Sequence, residues 1–130
     1  MVEQAQLLTV QYPQAFVIWN ILGAAHIGLG QAEKALEAFN KVTELNPNYA
    51  DGFNNLGAAL KDRGLFEEAI KAFNKALSIK PDFAGAYVNL GVALRNQDKP
   101  DDAIQAYEKA ISIKPDHVVY NNLSNALKDK

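Results

Sequence analysis

A fixed interval dominates this sequence, because four of its five prolines stand 34 residues apart, at Pro13, Pro47, Pro81 and Pro115. A period of this length is typical of stacked supersecondary units, each of which buries its apolar face against its neighbours. The interval therefore predicts a repeat array and not a single globular core. Arrays of this kind usually present a surface to partners, and few carry chemistry of their own.

Other residue types recur at the same interval, and each recurring position keeps one kind of side chain. These positions hold Trp19, Phe53 and Tyr87; Leu22, Leu56 and Leu90; Gly23, Gly57 and Gly91; Ala35, Ala69 and Ala103; and Phe39, Phe73 and Tyr107. We expect the glycines and alanines to let paired helices approach closely. We expect the aromatic residues Trp19, Phe53 and Tyr87 to fill the space beside them.

Each unit has the pattern of two helices joined by a turn. In the second unit, apolar residues at three- and four-residue spacing predict helices over 49–62 and 66–79, with a stop at Gly64. Gly30 and Asp98 hold the equivalent turn positions in the other units. We expect Asp82 or a neighbour to cap the next helix, and Pro100 to lie in the first turn of a helix.

The recurring residues resemble the tetratricopeptide repeat, in the order W-x2-L-G, then A-x3-F-x2-A, then P. The resemblance covers the whole chain as one domain, 1–130. It implies an all-α fold, a right-handed superhelical stack of antiparallel helix pairs whose first helices line a concave groove. It departs from the family at His26, where tyrosine is usual, and at Ser124, which replaces the glycine. The units are a half repeat at 1–15, full repeats at 16–49, 50–83 and 84–117, and a terminal helix at 118–130.

The resemblance implies a non-catalytic protein interaction module that binds an extended peptide or a partner segment in its concave groove. Two alternatives remain open. The chain is similar to the substrate-recognition arms of larger bacterial glycosyltransferases or sulfotransferases, which would make it an excised piece of a longer protein. It also begins and ends in half units, and their open apolar faces would allow self-association into a structural array.

Asparagines occupy positions of the first helices that packing does not need. Asn55, Asn89 and Asn122 hold one equivalent position, and Asn20, Asn54 and Asn121 hold the neighbouring one, where the third unit has Val88. An amide both donates and accepts hydrogen bonds, so a row of amides can bond the backbone of an extended peptide. A similar row holds substrate polypeptide in the repeat arm of the O-linked N-acetylglucosamine transferases. The alternative is that these asparagines only keep the concave wall polar.

Lys61, Arg95 and Lys128 recur near the ends of the first helices. Positive charge there complements the negative end of the helix dipole, and this effect is worth about 0.3–1 kcal/mol. The functional interpretation is a basic row that binds an acidic peptide, although the neighbouring Asp62 and Asp129 would weaken it.

A subset of the family holds the C-terminal carboxylates of chaperones with lysine, asparagine and arginine at fixed positions of the first helices. The equivalent positions here are Asn20 and Ala24, then Asn54 and Ala58, then Gly85 and Asn89. Because the cationic residues are missing, we expect no binding of such a C-terminal peptide.

Composition argues against other classes of function. The chain has no cysteine, two histidines and a formal net charge of −2. We therefore expect no enzyme activity, catalytic residue, metal site or cofactor, and we expect protein or peptide partners but neither nucleic acid nor membrane. His26 is interpreted as a packed interior residue. Without a signal-peptide pattern, we expect a cytoplasmic location.

Overall fold

The computed structural model describes residues 2–11 and 15–130. These residues form helices and no strand. Eight helices follow one another: α1 Val2–Gln11, α2 Phe16–Gly28, α3 Ala32–Leu45, α4 Ala50–Asp62, α5 Phe66–Ile79, α6 Ala84–Asn96, α7 Pro100–Ile113 and α8 His117–Asp129.

Successive helices pack against each other along the whole array, and short connections such as 63–65 make them antiparallel neighbours. The even-numbered helices also meet one another, since α4 contacts α6 and α6 contacts α8. These contacts bring the even-numbered helices close to one another, so α2, α4, α6 and α8 form the inner side of the array. We call this layer the inner wall, and α3, α5 and α7 lie behind it.

The turns between paired helices lie where the sequence predicts them. Gly30 and Gly64 have φ of 71° and 79°, and Asp98 in the third unit has φ of 61°. Glycine adopts this left-handed conformation without the steric cost that a Cβ brings, whereas aspartate tolerates it at some cost. The third unit therefore carries a carboxylate at a turn where its predecessors have no side chain.

Helix starts agree with the sequence in one case and correct it in another. Pro100 is the first residue of α7, where its missing N–H leaves no bond unmade. The expectation that Asp82 or a neighbour caps α6 through its side chain is wrong. Phe83 holds the position before Ala84, without a side-chain bond, and Asp82 lies one residue too early. Asp116 does cap α8, by accepting a 2.8 Å hydrogen bond from the Val118 N–H.

The helix-interior glycines confirm the expected close approach of paired helices. A Cβ atom at Gly23, Gly57 or Gly91 would lie 2.5 Å from the ring of Phe39, Phe73 or Tyr107 respectively, far inside van der Waals contact. The aromatic rings over the glycines thus come from the second helix of each unit. Trp19, Phe53 and Tyr87 are partly buried, and Trp19 and Tyr87 pack against neighbouring apolar clusters.

The apolar interior is a series of small clusters that join neighbouring units. One cluster brings Phe39 of α3 to Leu56 and Ala59 of α4, and another brings Tyr107 of α7 to Val119 of α8. Each unit therefore depends on its neighbour for burial, as expected for a quasi-one-dimensional array. This stacking sets the inner-wall residues of successive units side by side.

Candidate functional site

The inner wall carries a row of asparagines that are all half-buried. The structure places each of the five predicted amides on this wall, in equivalent positions of α2, α4, α6 and α8: Asn20, Asn54, Asn55, Asn89 and Asn122. Half-burial leaves these side chains open to a ligand on one side while neighbouring helices hold them on the other.

Four of these asparagines are joined in two equivalent pairs, which sequence reasoning missed. The Nδ2 of Asn55 donates to Oδ1 of Asn20 at 2.9 Å, and the Nδ2 of Asn89 donates to Oδ1 of Asn54 at 3.0 Å. Both bonds connect residues 35 apart in the sequence. This separation is one residue more than the 34-residue period. Residues so spaced are diagonal neighbours on successive first helices, and this spacing in the sequence could have indicated the pairs. We call these the amide pairs.

Each amide pair retains hydrogen-bonding capacity after its internal bond is made. An amide has two N–H donors and an oxygen with two acceptor positions. In the first pair, the Nδ2 of Asn20, the Oδ1 of Asn55 and the second hydrogen of Asn55 have no partner among the described residues. The same groups remain on Asn54 and Asn89. Every pair therefore presents at least two donors and one acceptor, the combination that complements a peptide backbone.

The row of pairs is interrupted at the third unit. Val88 occupies the position equivalent to Asn20 and Asn54, and a valine side chain accepts no hydrogen bond. Asn122, which would complete a third pair, consequently has no asparagine partner. Its side chain instead borders a cavity with Arg95, Tyr107 and Asp129.

Two of the three recurring basic residues, Lys61 and Arg95, differ in their surroundings. Lys61 is half-buried near the end of α4 and forms no ion pair within the described part of the chain. Arg95 near the end of α6 forms a two-point ion pair with Asp129 of α8, through Nε to Oδ2 and through Nη2 to Oδ1 at 3.4 Å. Hydrogen bonding to Arg95 holds the pKa of Asp129 below its ordinary range. The charges of this pair are matched, whereas Lys61 presents a cation that no carboxylate of the described residues neutralises.

His26 packs in the interior of the array, and Glu67 and Glu68 lie at the start of a helix. His26 is 3% exposed, and its ring bonds through Nδ1 to Oε1 of Gln31 at 2.7 Å, which confirms it as a packed interior residue. Glu67 and Glu68 lie in the first turn of α5, where they favour the helix dipole. Across residues 2–11 and 15–130, no three acidic, histidine or cysteine side chains gather as a metal site would require.

The fold and this wall define a class of protein, the all-α helical repeat solenoid. A family model described as tetratricopeptide repeat matches residues 50–83 and 84–117, and a second, described as TPR repeat, matches residues 23–64. The chain belongs to the tetratricopeptide repeat family, whose members typically act as non-catalytic protein interaction modules.

Solved structures agree with this assignment. The crystal structure of MamA is 27% identical, with a TM-score of 0.91 over 98% of this chain and 75% of that one. YrrB, titled a TPR protein with an unusual peptide-binding site, is 27% identical, with a TM-score of 0.79 over 85% of this chain and 57% of that one. No curated protein sequence matches this chain significantly.

A third structure shares the fold alone. The first TPR of Spaghetti (RPAP3), bound to the HSP90 peptide SRMEEVD, is 20% identical, with a TM-score of 0.86 over 88% of this chain and 92% of that one.

In the part of the chain that the structure describes, no helix is both long and apolar enough to cross a membrane.

Proposed function

We propose that this protein binds an extended polypeptide along its inner wall, with the amide pairs bonding to the peptide backbone. The observation that carries the proposal is the repetition of one geometry, Asn55 to Asn20 and Asn89 to Asn54, in successive units. A repeated donor and acceptor set suits a ligand that is itself periodic. An extended peptide is such a ligand, since its N–H and C=O groups recur along the chain.

The internal bond of each pair supports this role by fixing the side chains before a ligand arrives. A free asparagine on a helix surface samples several rotamers, and holding one of them costs conformational entropy on binding, about 0.5–1.5 kcal/mol for a rotamer-rich side chain. Asn55 and Asn89 have already lost this freedom through their bonds to the preceding helix. The wall therefore binds with less reorganisation than an unpaired row would.

The proposal implies weak dependence on peptide sequence along the amide pairs. Backbone groups are the same in every residue, so bonds to them do not select side chains. Selectivity then depends on inner-wall residues beyond the pairs, such as Lys61 near the end of α4.

The test begins with a ligand found by selection. A displayed library of random peptides is selected on the purified protein, and a synthetic copy of a selected peptide, blocked at both ends, is titrated by calorimetry. Replacing Asn55, Asn89 and Asn122 together with alanine should weaken binding by a few kcal/mol, at about 1 kcal/mol for each lost bond. Circular dichroism verifies that the variant keeps its helices.

A matched control replaces Asn40 and Asn74 with alanine, since both are exposed on the outer helices α3 and α5. This control should bind as the unchanged protein does. If the triple variant binds the selected peptide with unaltered affinity, the asparagines serve only to keep the wall polar and the proposal is wrong.

A second candidate function is self-association, which exposed apolar side chains favour. On α8, Val118 and Leu127 are 62% and 52% exposed, and on α1, Leu7 and Val10 are 59% and 78% exposed. In an array these faces would pack against a neighbouring helix. Light scattering over a concentration series tests this, with Leu127→Lys as the variant that should abolish association. A mass that stays monomeric at high concentration excludes it.

A further inference from the structure

A cavity of about 490 Å³ opens between α6, α7 and α8, and the inner-wall helices α6 and α8 supply most of its lining. The polar side chains that border it and carry the argument are those of Arg95, Asp98, Tyr107, Asn122 and Asp129. They come from three helices and one turn, so the stacking of the third unit on α8 creates the site.

The Tyr107 hydroxyl is the first feature that indicates a ligand. Tyr107 is 1% exposed, and in the described residues its hydroxyl has no hydrogen-bond partner. No fully buried polar atom lacks a partner among those residues, so the hydroxyl oxygen must open into the cavity. Burial raises the pKa of Tyr107, and Arg95 and Asp129 lie near enough to influence it. The hydroxyl therefore has no partner among the described residues, at a cavity that Arg95 and Asp129 also line.

The Asn122 amide is the second unengaged group. Its potential partner on α6 is Val88, so both its donors and its acceptor remain available. Two polar groups from different helices, α7 and α8, thus meet one cavity without partners of their own. Polar groups that face a shared space in this way are usually paired by water or by a ligand.

The charges favour a cation. Arg95 and Asp129 neutralise each other, and Asp98 forms no ion pair within the described ranges, so these three residues carry a net charge of −1. The acceptors are also numerous, since they include the carboxylates of Asp98 and Asp129 and the Oδ1 of Asn122. A carboxylate or phosphate would meet the two carboxylates of Asp98 and Asp129 against the single guanidinium of Arg95.

These features are specific to the third unit. One period earlier, Gly64 stands where Asp98 does, and Phe73 stands where Tyr107 does. The preceding unit therefore has neither the carboxylate nor the hydroxyl. Gly64 and Phe73 therefore indicate the replacements that test Asp98 and Tyr107 in the third unit.

We propose that this cavity holds a basic side chain, lysine or arginine, of the polypeptide bound along the inner wall. The proposal rests on the proposed function, because it assigns one side-chain subsite to the same groove. The cation would lie between Asp98 and Asp129, with Asn122 Oδ1 and the Tyr107 hydroxyl completing its hydrogen bonds.

The test uses single blocked residues as probes: the acetylated methylamides of arginine, lysine, glutamine and glutamate. Each is titrated into ¹⁵N-labelled protein at millimolar concentration and followed by NMR. The arginine or lysine probe, or both, should shift the side-chain signals of Asn122 and Arg95 and the amide of Asp98 to saturation. The glutamine and glutamate probes should leave them in place. Separate titrations of arginine and lysine distinguish a guanidinium site from an ammonium site.

Two variants reproduce residues of the preceding unit and so should keep the fold. Tyr107→Phe removes the hydroxyl and should weaken binding of the basic probe about fivefold, as expected for one hydrogen bond. Asp98→Gly removes the excess charge at a backbone conformation that glycine favours, and should weaken it roughly three- to tenfold. Glu108→Gln, a charge removed from the exposed face of α7, should have no effect.

The inference is overturned if neither basic probe saturates these signals, if the glutamate probe shifts them at least as strongly, or if both variants bind the basic probe unchanged. A blocked single residue is too short to reach the amide pairs, so this result is independent of the peptide titration. Peptide binding without any basic-probe binding rejects the subsite alone. Saturable probe binding in a protein that binds no selected peptide rejects the proposed function alone.

Discussion

Asn89 on α6 donates its Nδ2 hydrogen to Oδ1 of Asn54 on α4, at 3.0 Å, and so links two successive units through polar side chains on the inner wall. Asn55 and Asn20 repeat the relationship one unit earlier. Apolar clusters join the units behind these bonds. The amide pairs thus link successive units, and they lie on the surface that we propose to bind a peptide.

A double-mutant cycle measures what one pair contributes to stability. Alanine at Asn54, at Asn89 and at both should give an interaction energy of about 0.5–1 kcal/mol in urea unfolding, since one hydrogen bond is lost in either single variant. The equivalent cycle on Asn54 and Asn122, which are not bonded, is the control and should give a value near zero. Equal values in the two cycles would contradict the pairing.

Glycine packing gives a second prediction, because one helical glycine lies against an aromatic ring and another faces open space. A Cβ at Gly57 would lie 2.5 Å from the ring of Phe73, whereas at Gly28 nothing lies within 4 Å. Gly57→Ala should lower the free energy of unfolding by about 1–3 kcal/mol through overpacking. Gly28→Ala should leave it unchanged or raise it by up to about 1 kcal/mol, since alanine is the better helix former. A stabilised Gly57→Ala variant would show that the helices are not in close contact.

Alkaline pH gives a third prediction. Burial raises the pKa of Tyr107 and of Tyr49 above the ordinary value of 10.0. Above pH 10 the unfolded chain loses the phenolic protons first, so the folded state binds more protons and its stability falls as pH rises. Urea midpoints measured between pH 8 and pH 11 should decrease above pH 10, and Tyr107→Phe should show a smaller decrease. A decrease of the same size in that variant would exclude Tyr107 as a cause.

The missing carboxylate clamp gives a fourth prediction. The positions that hold cationic residues in the chaperone-binding subset are here Asn20, Gly85 and Asn89, none of which carries a positive charge. The peptide SRMEEVD, which the similarly folded first TPR of Spaghetti (RPAP3) binds, should show no measurable affinity in calorimetry. A micromolar dissociation constant would mean that other residues replace the clamp.

The sequence alone predicted the helices and turns well, because these depend on local residue types. The predicted helix over 66–79 coincides with α5 Phe66–Ile79, and the turn at Gly64 has the left-handed φ that its glycine implies. The recurrence of glycine at the 34-residue interval predicted that the helix of Gly57 lies close to its neighbour. It did not reveal that Phe73, and not Phe53, covers that glycine, because both aromatic positions recur at the same interval.

The details of the wall were less predictable because they depend on rotamers and on contacts between units. Repeat alignment placed Asn54 and Asn89 on adjacent first helices, but the bond between them depends on the stagger of α4 against α6. The sequence likewise did not indicate the ion-pair partner of Arg95. Asp129 is next to Lys128 in the sequence, yet in the structure it pairs with Arg95 one unit away.

Backbone recognition by the amide pairs is the central claim, and N-methylation of a selected peptide tests it most directly. A methyl group on alternate backbone nitrogens removes donors and leaves every side chain in place. If the pairs bond to the backbone, one of the two alternating N-methyl patterns should weaken calorimetric affinity at least tenfold, at about 1 kcal/mol for each bond lost. The opposite pattern should have a smaller effect. Equal affinity of both methylated peptides and the unmodified one would contradict the account.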